Sequence, residues 1–167
     1  MAFGQGDDQT IPEEFRTRLG KVVDKTEWPG KVSRIVAVTY DYEQEASEAV
    51  VVEGRLHKGA ISISKDLTAE QTKRLYAAIT GTHVHVKGAM CFEPHHGFVF
   101  YDVEDKILGS LTICFGCNRY QHAPAGEVSK VFDLKALESL VLELQMPVAV
   151  DPEAYKKLFD KSKEGQQ

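Results

Sequence analysis

The residue types able to do chemistry are concentrated in one stretch of this chain. All three cysteines and two of the six histidines lie there, as Cys91, His95, His96, Cys114 and Cys117. Thiolate sulfur and imidazole nitrogen are ligands that zinc and related transition metals favour in proteins. The clustering therefore indicates a metal site or a thiol redox site in preference to chance.

The spacing of these residues fits a tetrahedral metal site made of three cysteines and one histidine. The segment reads C-x3-H-x18-C-x2-C with His95, or C-x4-H-x17-C-x2-C with His96. The two-residue gap between Cys114 and Cys117 lets two thiolates reach one ion while nearby backbone N–H groups support the sulfurs. We therefore expect zinc, or another transition metal, at the three cysteines, including Cys91, and one of the two histidines.

A predicted β-hairpin explains how the two halves of such a site would meet. Strands are expected at 98–103 and 106–115, joined by a tight turn. The simplest turn places His95 opposite Cys114. A one-residue bulge or a three-residue loop would place His96 there instead. Either register brings a histidine to a cysteine, so the choice of histidine stays open.

Alternation along the second of these strands places Cys114 on its more polar face. Ser110 and Thr112 share that face, whereas Ile107 and Ile113 lie on the apolar one. A metal ligand is expected to project from the polar face, because the apolar face is needed for the core.

The remaining elements predict an α+β fold, with an antiparallel or mixed sheet of about six strands and helices packed on one face. Strands occur in blocks with helices between and after them, which favours this class over a strict strand-helix alternation. Strands are expected at 32–42, 49–56, 60–64, 82–89, 98–103 and 106–115, the first three as a meander. Helices are expected at 12–26, at 68–80, after Asp133 and after Asp151-Pro152, from apolar periodicity and capping residues.

One domain is expected, over residues 11–160. Residues 1–10 are rich in Gly, Gln and Asp, and residues 161–167 are similarly polar, so both ends are expected to be flexible tails. No run of 18 apolar residues is present, so we expect no transmembrane segment. The start of the chain shows no export signal, but a mature exported protein would look the same, which leaves the compartment open.

The charge balance argues against nucleic acid as a partner. The chain has 20 Lys and Arg residues against 25 Asp and Glu, a net charge of -5, whereas nucleic-acid binders usually show a basic patch and a high pI. A protein partner is compatible with the composition, and nothing in the sequence identifies one.

The segment C-F-E-P-H-H-G-F-V-F-Y-D, followed after a turn by I-C-F-G-C-N, resembles a bacterial family of uncharacterised proteins with a C-x2-P-x-H motif and a C-F-x-C motif. The resemblance covers about Thr68 to Cys117, with a looser likeness in the leucine-rich helix ending at Met146-Pro147. It puts Cys91, Pro94, His96, Cys114 and Cys117 at the motif positions. Members often look exported or lipid-anchored, and this chain departs from them in showing no signal. The resemblance implies a shared site and fold and no particular reaction.

Two functions from different classes follow from these residues. In the first, a metal fixes a hairpin in a structural or binding module, whose biological role the sequence does not specify. In the second, the same residues serve a metal-dependent enzyme or a thiol-disulfide redox protein, with Cys114 and Cys117 as disulfide partners. A thioredoxin-like site needs a helix beginning at its first cysteine, and residues 118–122 do not resemble one. The metal site is therefore the first expectation and redox chemistry the second.

Overall fold

The structure is a computed structural model that describes residues 28–39, 49–57, 63–126, 128, 130–149 and 151–164. The predicted helix at 12–26 and the predicted tail at 1–10 lie outside the described residues. The strands are β1 (Arg34–Thr39), β2 (Val51–Val52), β3 (Arg55–Leu56), β4 (Ile63–Asp66), β5 (His96–Tyr101), β6 (Ile107–Cys114) and β7 (Arg119–Ala123). The helices are α1 (Ala69–Thr80), α2 (Leu134–Glu143) and α3 (Pro152–Glu164).

The main sheet has five antiparallel strands in the order β4-β1-β5-β6-β7, which confirms the α+β class. Between β5 and β6 the register runs from His96 opposite Ile113 to Phe100 opposite Gly109. This is the register of the simplest predicted turn. A bulge follows, so that Tyr101 pairs with Ile107 next to the turn.

One face of the sheet packs against all three helices. Alternate strand residues, including Phe98, Leu111 and Ile113, form one core cluster with Leu75 of α1 and Leu137 of α2, and all five side chains are 0% exposed. Tyr155 and Phe159 of α3 belong to the same cluster. Burial of large apolar side chains on this face is the main source of stability, at roughly 2 kcal/mol for each one.

The opposite face is also buried. Val36, Val38, Val50 and Val99 form a second cluster there, beneath the small β2-β3 hairpin. Thr112 is on this side, and its Oγ1 accepts a hydrogen bond of 2.9 Å from the Val50 N–H. The polar face of β6 is thus a second interior surface, where a hydroxyl is retained because it has a backbone donor.

One predicted assignment on β6 is wrong because of the bulge. Ile107 contacts the second cluster, beneath the β2-β3 hairpin, whereas Ile113 lies in the helix-packed core. The predicted alternation put both on one face. The extra residue at the bulge reverses the side that later residues face, which sequence alternation does not show.

Helix α1 confirms the predicted boundaries. Thr68 and Gln71 form a capping box, in which the Gln71 N–H donates to Thr68 Oγ1 and the Thr68 N–H donates to Gln71 Oε1. Gly81 follows the last turn, but with φ of -69°, so it ends the helix without the left-handed conformation that favours glycine. Gln71 also donates to Glu143 of α2, which joins the start of α1 to the second helix.

The predicted meander at 32–64 is wrong. Strand β1 pairs with β4 and β5, and the predicted strand at 49–56 is instead the separate β2-β3 hairpin. Glu53 and Gly54 both have positive φ, of 50° and 73°, which is the conformation of a two-residue type I′ turn. The pair Glu53-Gly54 was the signal that this stretch turns back on itself.

Two further elements differ from prediction. Residues 82–89 form no strand, and Val84 and Val86 are largely exposed at 87% and 48%, so their alternation does not reflect packing. Strand β7 was not predicted, because its sequence, Arg-Tyr-Gln-His-Ala, is polar and it lies at the edge of the sheet. Edge strands lack the buried alternation that identifies strands in a sequence.

The helices after Asp133 and Asp151 are confirmed, and α3 runs to Glu164, into the region expected to be a tail. Asp133 and Asp151 each accept a hydrogen bond from a backbone N–H of the first turn. None of the helices in the described ranges has the length and apolar content needed to cross a membrane.

Replacing Thr68 by alanine should lower the free energy of unfolding by about 1 kcal/mol, because the Gln71 N–H loses its acceptor. The control is Thr68→Ser, which keeps the hydroxyl and should lose only a few tenths of that amount. Urea denaturation at neutral pH measures both. Equal losses in the two variants would show that the hydroxyl does not cap the helix.

Candidate functional site

Cys114 and Cys117 are held by the turn that joins β6 to β7. Cys114 ends β6 and pairs with Arg119, the first residue of β7. The Cys117 N–H donates to Cys114 Sγ at 3.2 Å, and Asn118 has the left-handed φ of 51° that asparagine tolerates better than most residues. The turn therefore places Cys117 over Cys114, with each residue only 4% exposed.

A second segment, residues 88–92, lies against this turn. The Ala89 N–H donates to the carbonyl oxygen of Cys117 at 2.8 Å. From the other side, Arg119 Nη1 donates to the carbonyl oxygen of Met90 at 3.1 Å. These two bonds attach a segment without regular secondary structure to the end of the β6-β7 hairpin.

The approach of the two segments is close, and it puts Cys91 in contact with Cys117. A Cβ atom on Gly88 would lie 3.1 Å from the Cys117 carbonyl oxygen, so a glycine fits best there. The two sulfur atoms, Cys91 Sγ and Cys117 Sγ, lie 2.6 Å apart, and of these two cysteines only Cys91 is exposed. The contacting thiols thus come from residues far apart in the sequence.

The three cysteines line one small cavity of about 120 Å³ together with His95, Glu93 and Tyr155. The His95 ring stacks on Tyr155 of α3, with ring centroids 4.5 Å apart. His95 immediately precedes His96, which pairs with Ile113. His95 therefore lies next to the end of β6, as the simplest register predicts. Four of the five predicted site residues therefore meet at this cavity.

His96 lies elsewhere. Its Nε2 is 2.7 Å from the carbonyl oxygen of Pro147, which can only accept, so the ring is held as the tautomer that donates from Nε2. The ring packs between Phe115 and Tyr155, at centroid distances of 4.9 and 5.8 Å. Of the two candidate histidines, His95 is therefore the one placed beside the cysteines.

Proximity and burial raise the pKa of both contacting thiols. At Cys91 the main cause is the hydrogen bond with Cys117, followed by desolvation. At Cys117 the main cause is desolvation, followed by the hydrogen bond with Cys114, while hydrogen bonds with Cys91 and the Glu93 backbone act in the opposite direction. Both thiols are therefore protonated at neutral pH, and neither is an activated nucleophile in this state.

The spacing of Cys91 Sγ and Cys117 Sγ differs from the spacing that a bound zinc ion would impose. Within the described residues, no group of three or more His, Cys, Asp or Glu side chains is arranged to hold a metal ion. Two sulfurs bound to one tetrahedral zinc at about 2.3 Å each would lie about 3.8 Å apart. Cys91 Sγ and Cys117 Sγ are much closer, at 2.6 Å. The exposed Cys91 side chain would have to move by roughly 1 Å before an ion could bind.

Sequence reasoning missed the contact that dominates the site and the residues that support it. The expected thiol pair was Cys114 with Cys117, because only their spacing was visible. The Ala89 and Arg119 hydrogen bonds hold Cys91 next to Cys117, and no pattern in the sequence predicts these bonds. Tyr155 was assigned only to a helix, and its place in the cavity depends on how α3 packs.

The buried His96 makes stability depend on pH. Burial lowers its pKa from 6.5 to about 4, and burial also lowers the pKa of His95. Between pH 6.5 and 4, His96 takes up a proton in the unfolded chain but not in the folded chain. The free energy of unfolding therefore decreases as the pH falls through this range. The loss attributable to His96 should be about 3 kcal/mol and should be complete below the lower pKa.

The measurement is urea denaturation of the wild type and His96→Gln from pH 7.5 to 3.5. The variant retains a donor for the Pro147 carbonyl but does not titrate, so its stability should fall less steeply than that of the wild type. His85→Ala, at an exposed position, is the control and should follow the wild-type profile. Parallel profiles for the wild type and His96→Gln would contradict the assignment.

Comparison of the chain with protein-family models, curated proteins and solved structures found no match. The likeness to a motif-bearing bacterial family therefore stays an expectation. What this chain does must be inferred from the geometry of its own cysteines.

Proposed function

We propose that this protein is a thiol-disulfide redox protein whose reactive pair is Cys91 and Cys117. The observation that supports this is the 2.6 Å contact between their sulfur atoms. Two thiols in contact form a disulfide with little loss of conformational entropy, because the protein has already brought them together. The pair differs from Cys114 and Cys117, the one favoured by spacing.

Oxidation of this pair would have a structural consequence. The disulfide would join residues 88–92 covalently to the β6-β7 turn, where the Ala89 N–H and the Arg119 side chain now donate hydrogen bonds that link the two segments. Two hydrogen bonds at an exposed surface are worth a few kcal/mol at most, so the reduced segment can open locally. While the Cys91–Cys117 disulfide persists, this segment would be held more firmly than in the reduced protein.

The surroundings of the pair favour slow, reversible oxidation over fast catalysis. Fast oxidoreductases lower the pKa of one cysteine with a helix N-terminus or a basic neighbour. Here no helix starts at Cys114, since β7 follows the turn, and the pKa of both Cys91 and Cys117 is raised. A thiol of this kind reacts when a disulfide-bearing partner is abundant or when the pH is high.

A metal site at Cys91, Cys114, Cys117 and His95 is the second candidate. A specific observation favours it, namely the hydrogen bond of 3.2 Å from the Cys117 N–H to Cys114 Sγ, a type of bond that supports metal-bound sulfur. His95 lines the same cavity as the three sulfurs. A zinc or similar ion there would hold the hairpin end together, and the chain would be a structural or binding module.

The reactive pair is tested by oxidising single variants with oxidised glutathione at pH 8. Cys114→Ser should form a Cys91–Cys117 disulfide, because both contacting sulfurs remain. Cys117→Ser should stop at a glutathione adduct on Cys91, since the contacting sulfur is gone. Peptide mapping by mass spectrometry identifies the products. Adducts without a Cys91–Cys117 link in Cys114→Ser would contradict the proposed function.

The same pair makes a second prediction, about reactivity. The hydrogen bond with Cys117 is the main cause of the raised pKa of Cys91, so Cys117→Ser should lower that pKa and speed alkylation of Cys91 at pH 7.5. A change of one pKa unit corresponds to nearly tenfold in rate below the pKa. Cys114→Ser is the matched control and should leave the alkylation rate of Cys91 within about twofold of wild type.

Metal content decides between the two candidates. Protein purified without chelator should contain much less than one zinc per chain, and Cys91, as the exposed thiol, should react with a thiol reagent without denaturant. Elemental analysis and a thiol count measure these. One metal ion per chain with three protected thiols would instead establish the Cys/His metal site.

A further inference from the structure

The three cysteines form a series from solvent to interior. Cys91 is exposed, whereas Cys114 and Cys117 are each 4% exposed. Cys117 is the middle member, because its sulfur contacts Cys91 Sγ at 2.6 Å and its side chain also hydrogen-bonds to Cys114. A reagent in solution therefore reaches the interior pair only through Cys91, unless the site opens.

We propose that Cys91 is a shuttle thiol that transfers oxidation from a disulfide in solution to the buried pair Cys114 and Cys117. The proposal rests on the redox function proposed above and extends it by giving Cys114 a role and by naming the oxidant class. The oxidant is a low-molecular-weight disulfide, because such a molecule can react at the exposed Cys91 without needing a docking surface.

The transfer takes place in three exchange steps that conserve atoms and electrons. The Cys91 thiolate attacks the external disulfide, forms a mixed disulfide and releases one external thiol. Cys117 then attacks Cys91 Sγ, forms the Cys91–Cys117 disulfide and releases the second external thiol. Finally Cys114 attacks Cys117 Sγ, forms the Cys114–Cys117 disulfide and releases Cys91. The net change is one external disulfide reduced to two thiols and one buried dithiol oxidised.

Solvation favours the last step in this direction. Its leaving group is the thiolate of Cys91, the exposed sulfur, which water can solvate as the charge develops. The reverse step would expel a thiolate at Cys114, which is 4% exposed. A disulfide carries no charge and suits the buried position. The Cys117 N–H bond to Cys114 Sγ, at 3.2 Å, holds the attacking sulfur beside its target.

The transfer would restore Cys91 as a free thiol. The 88–92 segment would then be covalently joined to the turn only in the intermediate state, and at the end it would keep only its noncovalent contacts, including the Ala89 and Arg119 hydrogen bonds. The buried disulfide would persist until a reductant reaches it by the same route. The site would thus hold a two-electron oxidation in the interior, as the Cys114–Cys117 disulfide.

The experiment follows reduced wild-type protein after addition of oxidised glutathione, with alkylation quenching and peptide mapping by mass spectrometry. The Cys91–Cys117 disulfide should form first and decay, and the Cys114–Cys117 disulfide with a free Cys91 should accumulate. In Cys91→Ser, oxidation of the buried pair should be at least tenfold slower. In Cys114→Ser, the reaction should stop at Cys91–Cys117. Thermal melts of the reduced variants check that each one is folded.

Each contrary result has a separate meaning. A stable Cys91–Cys117 disulfide in the wild type, with Cys114 reduced, would overturn the transfer and leave the proposed redox function standing. Equal oxidation rates in the wild type and Cys91→Ser would overturn the shuttle role of Cys91. A wild type that forms neither disulfide would overturn the proposed redox function itself.

Discussion

Antiparallel pairing of β6 with β5 on one side and β7 on the other determines where the reactive side chains lie. Ile113 pairs with His96, so His95 is carried to the end of the strand where Cys114 lies. Across the other edge Cys114 pairs with Arg119, which forces the intervening residues into a turn and folds Cys117 back. The register is held because a slip by one residue would turn the alternating buried side chains of both clusters to the wrong face.

The chemistry at that strand end follows from placing three cysteine side chains around one small cavity. The hydrogen bond with Cys117 and then desolvation raise the pKa of Cys91, whereas burial and then the hydrogen bond with Cys114 raise the pKa of Cys117. A disulfide would remove the ionisable protons and would join two sulfurs that already lie 2.6 Å apart. A metal ion would be an alternative, since its positive charge stabilises thiolates, but it requires the contacting sulfurs to separate.

The site is also continuous with the helix-packed core. Tyr155 is 0% exposed, belongs to the core cluster and stacks on His95 in the cavity. His96 is attached to the segment before α3 through the Pro147 carbonyl. A change at the cysteines that moves His95 must therefore disturb the packing of α3. This continuity means that a change at the cysteines, such as the proposed oxidation, would affect the stability of the fold.

Local signals in the sequence were sufficient for several elements. The capping box at Thr68 and Gln71, and the capping residues Asp133 and Asp151, correctly placed three helix starts because capping involves residues close in the chain. The hairpin of β5 and β6 and its main register were also predictable, from two apolar runs and a tight turn. Residue clustering alone indicated the three cysteines and His95 that meet at the cavity.

What the sequence did not determine depends on contacts between distant residues. The edge strand β7 exists because β6 offers it a partner, and residues 82–89 lack a strand although their alternation resembles one. His95 lines the cavity with the cysteines, whereas His96 packs against Phe115 and bonds to the Pro147 carbonyl, and this difference depends on residues distant in the chain.

The sequence by itself therefore determined the α+β class, most helix boundaries and the set of candidate residues, since these follow from local backbone preferences and composition. The tertiary structure alone decided that Cys91 meets Cys117, through hydrogen bonds of Ala89 and Arg119 to backbone atoms. Any residue type offers a backbone carbonyl to such bonds, so the acceptors at Cys117 and Met90 leave no signature in the amino-acid sequence.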